Sequence, residues 1–296
     1  MNILLFPTRF YPAISGGDFY MQRLGEELKR LKGQNNVKRP SNLEKPIPTR
    51  NEVFVITSDA IDFASVHGMG GRIVPPNHPN YASFHNLKLK RYQTQQMSFG
   101  SNKPSLVKEP DFQDLESLCK QYLALEYEDI SSIISNGPIL PQLNTFLHSP
   151  DIRVEGFCPE IVHCTYLPYA TLLYTLLIGK KLAIPTVVTP FLHDANSRYD
   201  LTHIIHVLRE FSASVACTEY EKQVYVQNEL AEKKVAVIPM GVDHQKFAIP
   251  TSMKKKRSII SPASTVLFCG NKNYEKGAIT LLNAIPHILL QAPNAQ

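Results

Sequence analysis

Several large protein classes are excluded by what the sequence lacks. Its five cysteines, Cys119, Cys158, Cys164, Cys217 and Cys269, are odd in number and show no C-x-x-C spacing. That pattern argues against a disulfide framework and against a zinc site, and no metal-ligand cluster is visible. Cys164, Cys217 and Cys269 fall in apolar strand-like runs, where cysteine behaves as a small buried hydrophobe, so a reducing compartment is expected. The longest uncharged apolar stretch, Tyr166 to Gly179, has 14 residues and is too short to span a bilayer. No basic n-region or small-residue cleavage site accompanies the first apolar run, so no signal peptide is expected and a cytoplasmic location is. Neither G-x-G-x-x-G nor a Walker A motif occurs, which weakens an NAD-dependent oxidoreductase and a P-loop enzyme. Charge is modest: 31 basic against 26 acidic residues leave a formal +5. Part of it lies in Lys254-Lys-Lys-Arg257, where a solvated linker outweighs a nucleic-acid patch. Weak peripheral attraction to anionic lipid on the inner face of a membrane stays open.

What is present reads as repeated strand-helix units. Asn2 to Pro7 is a short apolar run of the kind a buried parallel strand needs. A turn over Thr8–Gly17 follows, then a helix from about Asp18 to Lys32, with Met21, Leu24, Leu28 and Leu31 on one face. Gly33 is expected to close that helix. Glu52 to Thr57 is a second strand, reached through a polar, basic excursion. Residues 60–150 are hard to assign; a helix is expected from Phe112 to about Ile134 and another over Gln142–Leu147. Regular alternation resumes with strands at Pro159–Cys164, Ile184–Thr189, Ser214–Cys217 and Val235–Ile238. Helices near Pro168–Lys181, Asp200–Phe211 and Glu219–Ala231 separate them. Strands apolar on both faces, alternating with helices, predict an α/β fold with a doubly wound parallel sheet.

The last of these strands, Val235-Ala-Val-Ile238, is expected to be buried. Pro239 ends it, because proline lacks a ladder donor, and Gly241 permits a sharp turn. A serine-, lysine- and proline-rich stretch follows, which divides the chain into residues 1–250, a linker 251–264 and a second segment 265–296. That segment begins with an expected strand, Thr265–Cys269, and a helix bearing Ile279, Leu282, Ile285 and Ile288. One such unit cannot bury its own apolar face.

Two glycines, Gly16 and Gly17, would lie at the carboxyl end of the first strand, where open α/β sheets bind ligands and helix amides can face an anion. His193-Asp194 follows the strand that ends at Thr189. Taken in order, Gly16-Gly17, His193-Asp194, Pro239-x-Gly-Val-Asp243, and Gly270 with Lys276-Gly277 resemble the retaining glycosyltransferases of family 4, which have the GT-B fold of two Rossmann-like domains. The resemblance covers both ends of the chain well and the middle poorly. It implies sugar transfer from a UDP- or GDP-sugar donor, with retention of configuration, to a sugar or lipid-linked acceptor on the first domain. It further implies that His193 contacts the donor sugar, that Gly16, Gly17, Lys272 and Lys276 meet the diphosphate, and that Pro239, Gly241 and Asp243 form an interdomain hinge. No cofactor or metal is implied, and no nucleic-acid partner.

The sequence also departs from that family. The usual arginine of the donor's basic pair is replaced by Asn271, with Lys272 beside it, and an ammonium lacks the guanidinium's bidentate fork. The late E-x7-E is absent; Glu221 and Glu229 share its spacing but precede the junction, where a solvated helix face is expected. The chain is therefore expected to be cut short in its second domain and, as it stands, inactive. The competing expectation is a non-catalytic binding or regulatory protein that kept the sheet and lost the donor half.

Overall fold

The computed structural model describes residues 1–31, 51–96, 110–150, 152–153, 156–193, 200–244, 247–248, 265–270 and 276–296. They fall into two compact units, Met1–Met240 and Gly241–Gln296. The expected linker 251–264, Gly33, Asp194, Asn271 and Lys272 lie outside the described residues.

The first unit is an eight-stranded sheet in the order β3-β4-β2-β1-β5-β6-β7-β8. Its strands are β1 (Asn2–Phe6), β2 (Glu52–Ser58), β3 (Ser83–Phe84), β4 (Leu87–Tyr92), β5 (Ile161–Thr165), β6 (Thr186–Thr189), β7 (Ala213–Ala216) and β8 (Val235–Val237). Every neighbouring pair is parallel except β3 with β4. This is the expected doubly wound, Rossmann-like sheet. Around it lie α1 (Gly16–Arg30), α2 (Phe63–Val66), α3 (Pro110–Tyr122), α4 (Tyr127–Ile134), α5 (Pro141–His148), α6 (Thr171–Leu182), α7 (Leu201–Glu210) and α8 (Glu219–Gln227).

Strand periodicity builds two cores. In β1, Leu4 and Phe6 join a cluster with Ile56 of β2, Phe112 and Leu115 of α3, Ile130 of α4, and Leu173 and Leu177 of α6. Ile3 and Leu5 point to the other face and pack with Val53, Val55, Leu89 and Met21 of α1. Successive side chains of a strand alternate between faces, so a strand apolar at every position needs cover on both. The helix α6 is buried from Thr171 through Gly179, which explains why its sequence is apolar all round.

Several expectations change. The helix expected from Phe112 to Ile134 is two helices, because the Asp129 carboxylate accepts the Glu126 N–H at 3.4 Å and starts a new helix there. The first helix begins at Gly16, capped by Ser15, and ends at Arg30 with Leu31 as its C-cap. The Val235 strand is not buried throughout. It sits at the sheet edge, where Val235 is covered, Ala236 is exposed and Ile238 is 54% exposed. Cys269 is exposed and Cys217 only half-buried, whereas Cys164 and Cys119 are buried.

Strands β3 and β4 had not been anticipated. In β4 the buried positions Leu87, Leu89 and Arg91 alternate, and Arg91 is an unusual core residue at 3% exposed. Its guanidinium donates to the carbonyls of Tyr81, Asn80, Ser58 and Tyr11, tying the loop after β1 to the sheet. Burial lowers its pKa to about 10.

The second unit's described residues contain one helix, α9 (Ala278–Gln291), and no strand at Thr265–Cys269. A strand needs a neighbour to take its N–H and C=O groups, and none is described there. None of the α9 residues is buried, and Ile279, Leu282, Ile285, Leu289 and Leu290 are exposed. No helix among the described residues is long and apolar enough to cross a membrane.

Candidate functional site

The chain fills the sheet outward from β1 toward β4, then returns beside β1 with β5 and fills the other half. The carboxyl ends of β1 and β5 thus meet where strand order reverses, the usual ligand crevice of an open α/β sheet. The segments after β1, β5 and β6 converge there.

After β1 the chain runs to Ser15, whose extended backbone makes it the N-cap of α1 and whose Oγ accepts the Asp18 N–H at 3.4 Å. The Ser15 and Tyr166 hydroxyls lie 2.5 Å apart, and Arg9 Nη2 donates to Ser15 Oγ at 3.4 Å. The same guanidinium nitrogen is 3.1 Å from Asp18 Oδ2. Asp18 is fully buried, and this desolvation raises its pKa in spite of Arg9, which acts in the opposite direction. The Tyr166 phenol is pushed up to about 12, chiefly by burial and then by the nearby Asp18 charge.

Tyr166 directly follows β5 and has φ of 74°, the left-handed region that a bulky residue rarely enters. This conformation lays its ring over the first turn of α1. A Cβ on Gly17 would overlap the Tyr166 ring and hydroxyl, so only glycine fits beneath it. Gly16 has nothing within 4 Å of the corresponding position and is exposed. Of the two expected anion-facing glycines, Gly16 is therefore open and Gly17 is roofed by a tyrosine. The first-turn amides already have a serine hydroxyl and a buried carboxylate beside them.

The third segment follows β6. Thr189 Oγ1 is 2.9 Å from His163 Nε2 and 3.5 Å from the Tyr20 hydroxyl. Burial holds the His163 imidazole down to about 4, so it is neutral at physiological pH. Phe191, with φ of 55°, packs edge-on to Tyr20 at 5.2 Å and against Tyr166 at 5.6 Å. Its neighbour Leu192 donates its N–H to Glu221 Oε1 at 3.1 Å. His193 comes next and is exposed. The ring that roofs Gly17 thus touches the residue two before His193, and both expected site segments share one edge of the sheet.

Glu221 corrects an expectation. Instead of lying on a solvated helix face it is 7% exposed, and it accepts three hydrogen bonds. Besides Leu192, these come from the Cys217 N–H at 2.7 Å and the Tyr225 hydroxyl at 2.6 Å. Glu229 is exposed and pairs with Arg209 at 2.9 Å. Arg9, Asp18, Tyr166 and Glu221 were not recognised from sequence. Asp18 carried a signal as a carboxylate at the start of the first helix, Glu221 carried one in its spacing to Glu229, and Arg9 is a lone cation between the first strand and the glycine turn.

Pro239 is exposed at the end of the first unit; Gly241 and Asp243 are exposed at the start of the second. Lys276 is exposed one residue before Gly277, the left-handed N-cap of α9. Among the described residues no group of three or more His, Cys, Asp or Glu side chains could hold a metal ion.

The model of Glycosyltransferase Family 4 matches residues 128–246. The chain carries a glycosyltransferase family 4 domain. The match takes in β5 to β8, and with them His163, Tyr166, Thr189, His193 and Glu221. Gly16 and Gly17 lie before it. No curated protein sequence matches the chain. Among solved structures it is similar to Anabaena HepE in complex with UDP and glucose, at 12% identity and a TM-score of 0.48, over 97% of this chain and 58% of that one. A glycosyltransferase from Rickettsia africae gives 16% identity and a TM-score of 0.48, over 97% and 57%. UDP-GlcNAc 2-epimerase from Neisseria meningitidis bound to UDP-GlcNAc gives 14% and 0.44, over 100% and 64%. The chain spans 57–58% of the length of the first two.

Proposed function

We propose that the protein transfers a hexosyl group from a nucleotide-sugar donor, of the UDP- or GDP-sugar type, to a sugar or lipid-linked acceptor, with retention of anomeric configuration. The observation that carries this reading is the family 4 domain lying on β5 to β8, at the ligand-binding edge of the sheet. In the reaction the bond from the anomeric carbon to the donor phosphate breaks. The acceptor oxygen bonds to that carbon, and the acceptor's proton leaves with the nucleoside diphosphate. His193 is the residue we assign to the donor sugar, on a loop whose backbone Glu221 holds. Gly16, Gly17, Lys272 and Lys276 are assigned to the diphosphate, where amides and ammonium groups stabilise the departing charge. Tyr166 has to move aside before an anion can reach the Gly17 amide. Pro239, Gly241 and Asp243 serve as the hinge between an acceptor-side unit and a donor-side one. We assign the protein to the cytoplasm, with peripheral attachment to the inner face of a membrane as a further part of the proposal.

Residues 1–296 on their own are proposed to transfer no sugar, because α9 buries none of its residues and gives Lys276 no fixed frame. That same observation favours the second reading, a non-catalytic binding protein built on the sheet. A screen of UDP- and GDP-sugars with the product of the complete gene tests both. Turnover of one donor class, with transfer to an acceptor, is the expected result. Neither turnover nor nucleotide binding with any donor would remove the enzymatic reading, and sugar transfer by residues 1–296 at the rate of the complete product would remove the claim of inactivity.

A further inference from the structure

The first unit has a cavity of about 470 Å³ that none of the residues above explains. One wall is a single face of α1, since Phe19, Gln22, Arg23 and Glu26 recur at three and four residues. The facing wall is Asn80, Phe84 and His85, around the β3–β4 turn, and Tyr11, Ala13 and Ile14 complete the lining. Its volume falls in the ordinary range for small-molecule sites.

Its chemistry is specific. Gln22 is 7% exposed, yet its amide makes no hydrogen bond among the described residues. Because Gln22 lines the cavity, its amide presents an unused donor and acceptor there. The Asn80 backbone N–H and carbonyl are both used, by His78 and Arg91, while its side-chain amide makes no such bond. Arg23 Nη1 donates to Glu26 Oε2 at 2.8 Å, with the guanidinium 4.9 Å from the Phe19 ring centre. His85, held left-handed at φ 50°, pairs with the other oxygen of Glu26 and stacks on Phe84. Both carboxylate oxygens are thereby occupied and the negative charge is compensated, while further N–H groups of Arg23 remain to donate. Phe19, 52% exposed, supplies an apolar ring at the mouth.

Planar amides and a guanidinium offer paired donors and acceptors to vicinal hydroxyls, and an exposed ring accepts the apolar C–H face of a pyranose. We propose that this cavity binds a neutral or acidic saccharide ring, the residue of the acceptor next to the one that is glycosylated. The assignment of the ring to the acceptor rests on the glycosyltransferase reading. An amino sugar is disfavoured, because its ammonium would face Arg23 and a compensated carboxylate.

The test is direct binding to the 296-residue chain, with saturation-transfer NMR and a panel of methyl glucoside, methyl galactoside, methyl mannoside, glucuronic acid and glucosamine. Neutral or acidic members should bind in the millimolar range and glucosamine more weakly. Gln22→Leu, which keeps the shape and deletes the amide, and Phe19→Ala should each weaken binding by about tenfold or more, a free-energy step of about 1.4 kcal/mol. Thermal melts of both variants establish that they fold. Equal affinity in wild type and both folded variants, or no binding by any member of the panel, overturns the proposal. Transfer by the complete gene product with an acceptor KM unmoved by Gln22→Leu overturns the cavity and leaves the enzyme standing. Glycoside binding lost in Gln22→Leu, with no transfer from any donor, supports the cavity and removes the enzyme.

Discussion

Glu221 and Leu192 are 29 residues apart, and the carboxylate of one accepts the backbone N–H of the other at 3.1 Å. A side chain at the start of α8 therefore fixes the backbone beside His193. With the Cys217 N–H and the Tyr225 hydroxyl also bound to it, one carboxylate joins the loops after β6 and β7. Glu221→Ala leaves three donors without an acceptor in a buried place, which should cost about 2–4 kcal/mol. Glu221→Gln, which keeps one carbonyl oxygen, should cost less. Urea denaturation midpoints of both variants, together with faster hydrogen exchange at the Leu192 amide, check this; an unchanged midpoint in Glu221→Ala refutes it.

Gly16 and Gly17 should respond in opposite ways. Gly16→Ala meets open space and puts a better helix former in the first turn, so stability should hold or rise slightly. Gly17→Ala drives a methyl group into the Tyr166 ring and should cost about 1–3 kcal/mol, as overpacking does. Adding Tyr166→Ala to Gly17→Ala should recover part of that loss. A double-mutant cycle on melting data measures the coupling, and simple additivity would dissociate the two residues.

His163 predicts a pH dependence with a definite sign. Its folded pKa, about 4, lies below the ordinary imidazole value of 6.5, so the unfolded chain takes up the proton first. Its contribution is fully present above pH 6.5 and is lost as pH falls from there toward 4. The loss should be about 2 kcal/mol, below the full shift because the residue keeps some exposed surface. His163→Gln should flatten the stability curve between those limits. A curve of the same slope in the variant assigns the dependence to other groups.

For the assigned chemistry, His193→Ala in the product of the complete gene should lower turnover about a hundredfold, the usual cost of one positioned polar contact. His193 is exposed, so the melting temperature should scarcely move. Normal turnover with the same donor would take His193 out of the site.

The sheet was legible because its inner strands are mostly apolar, β1 from Ile3 to Phe6 without a break, and helices separate the strands from β5 onward. β4 was not, since Leu87-Lys-Leu-Lys-Arg91 alternates in a stretch with no helical frame around it, and its inward charge, Arg91, imitates a surface residue. The same physics hid Glu221. A carboxylate in the first turn of a helix ordinarily faces solvent, and only the fold brings Leu192 and Cys217 to it. Tyr166 was invisible for another reason: its role depends on a left-handed backbone that nothing in Thr165-Tyr-Leu-Pro168 announces. The strand expected at Thr265–Cys269 had the right composition, but composition cannot supply a neighbouring strand.

The position of β1 beside β5 has a consequence for how the protein is made. Asn2 to Leu5 pair on one side with β2, and Ile3 to Phe6 on the other with residues 161–164. A ribosome adding roughly 5–20 residues per second takes roughly 10–30 s to bridge that distance. For that interval the most apolar strand of the molecule has one edge bare, a natural handhold for chaperones. Nascent chains arrested before residue 161 should be cut readily by added protease, and chains extended past β8 should resist; equal resistance in both would mean that the first half closes without its second neighbour.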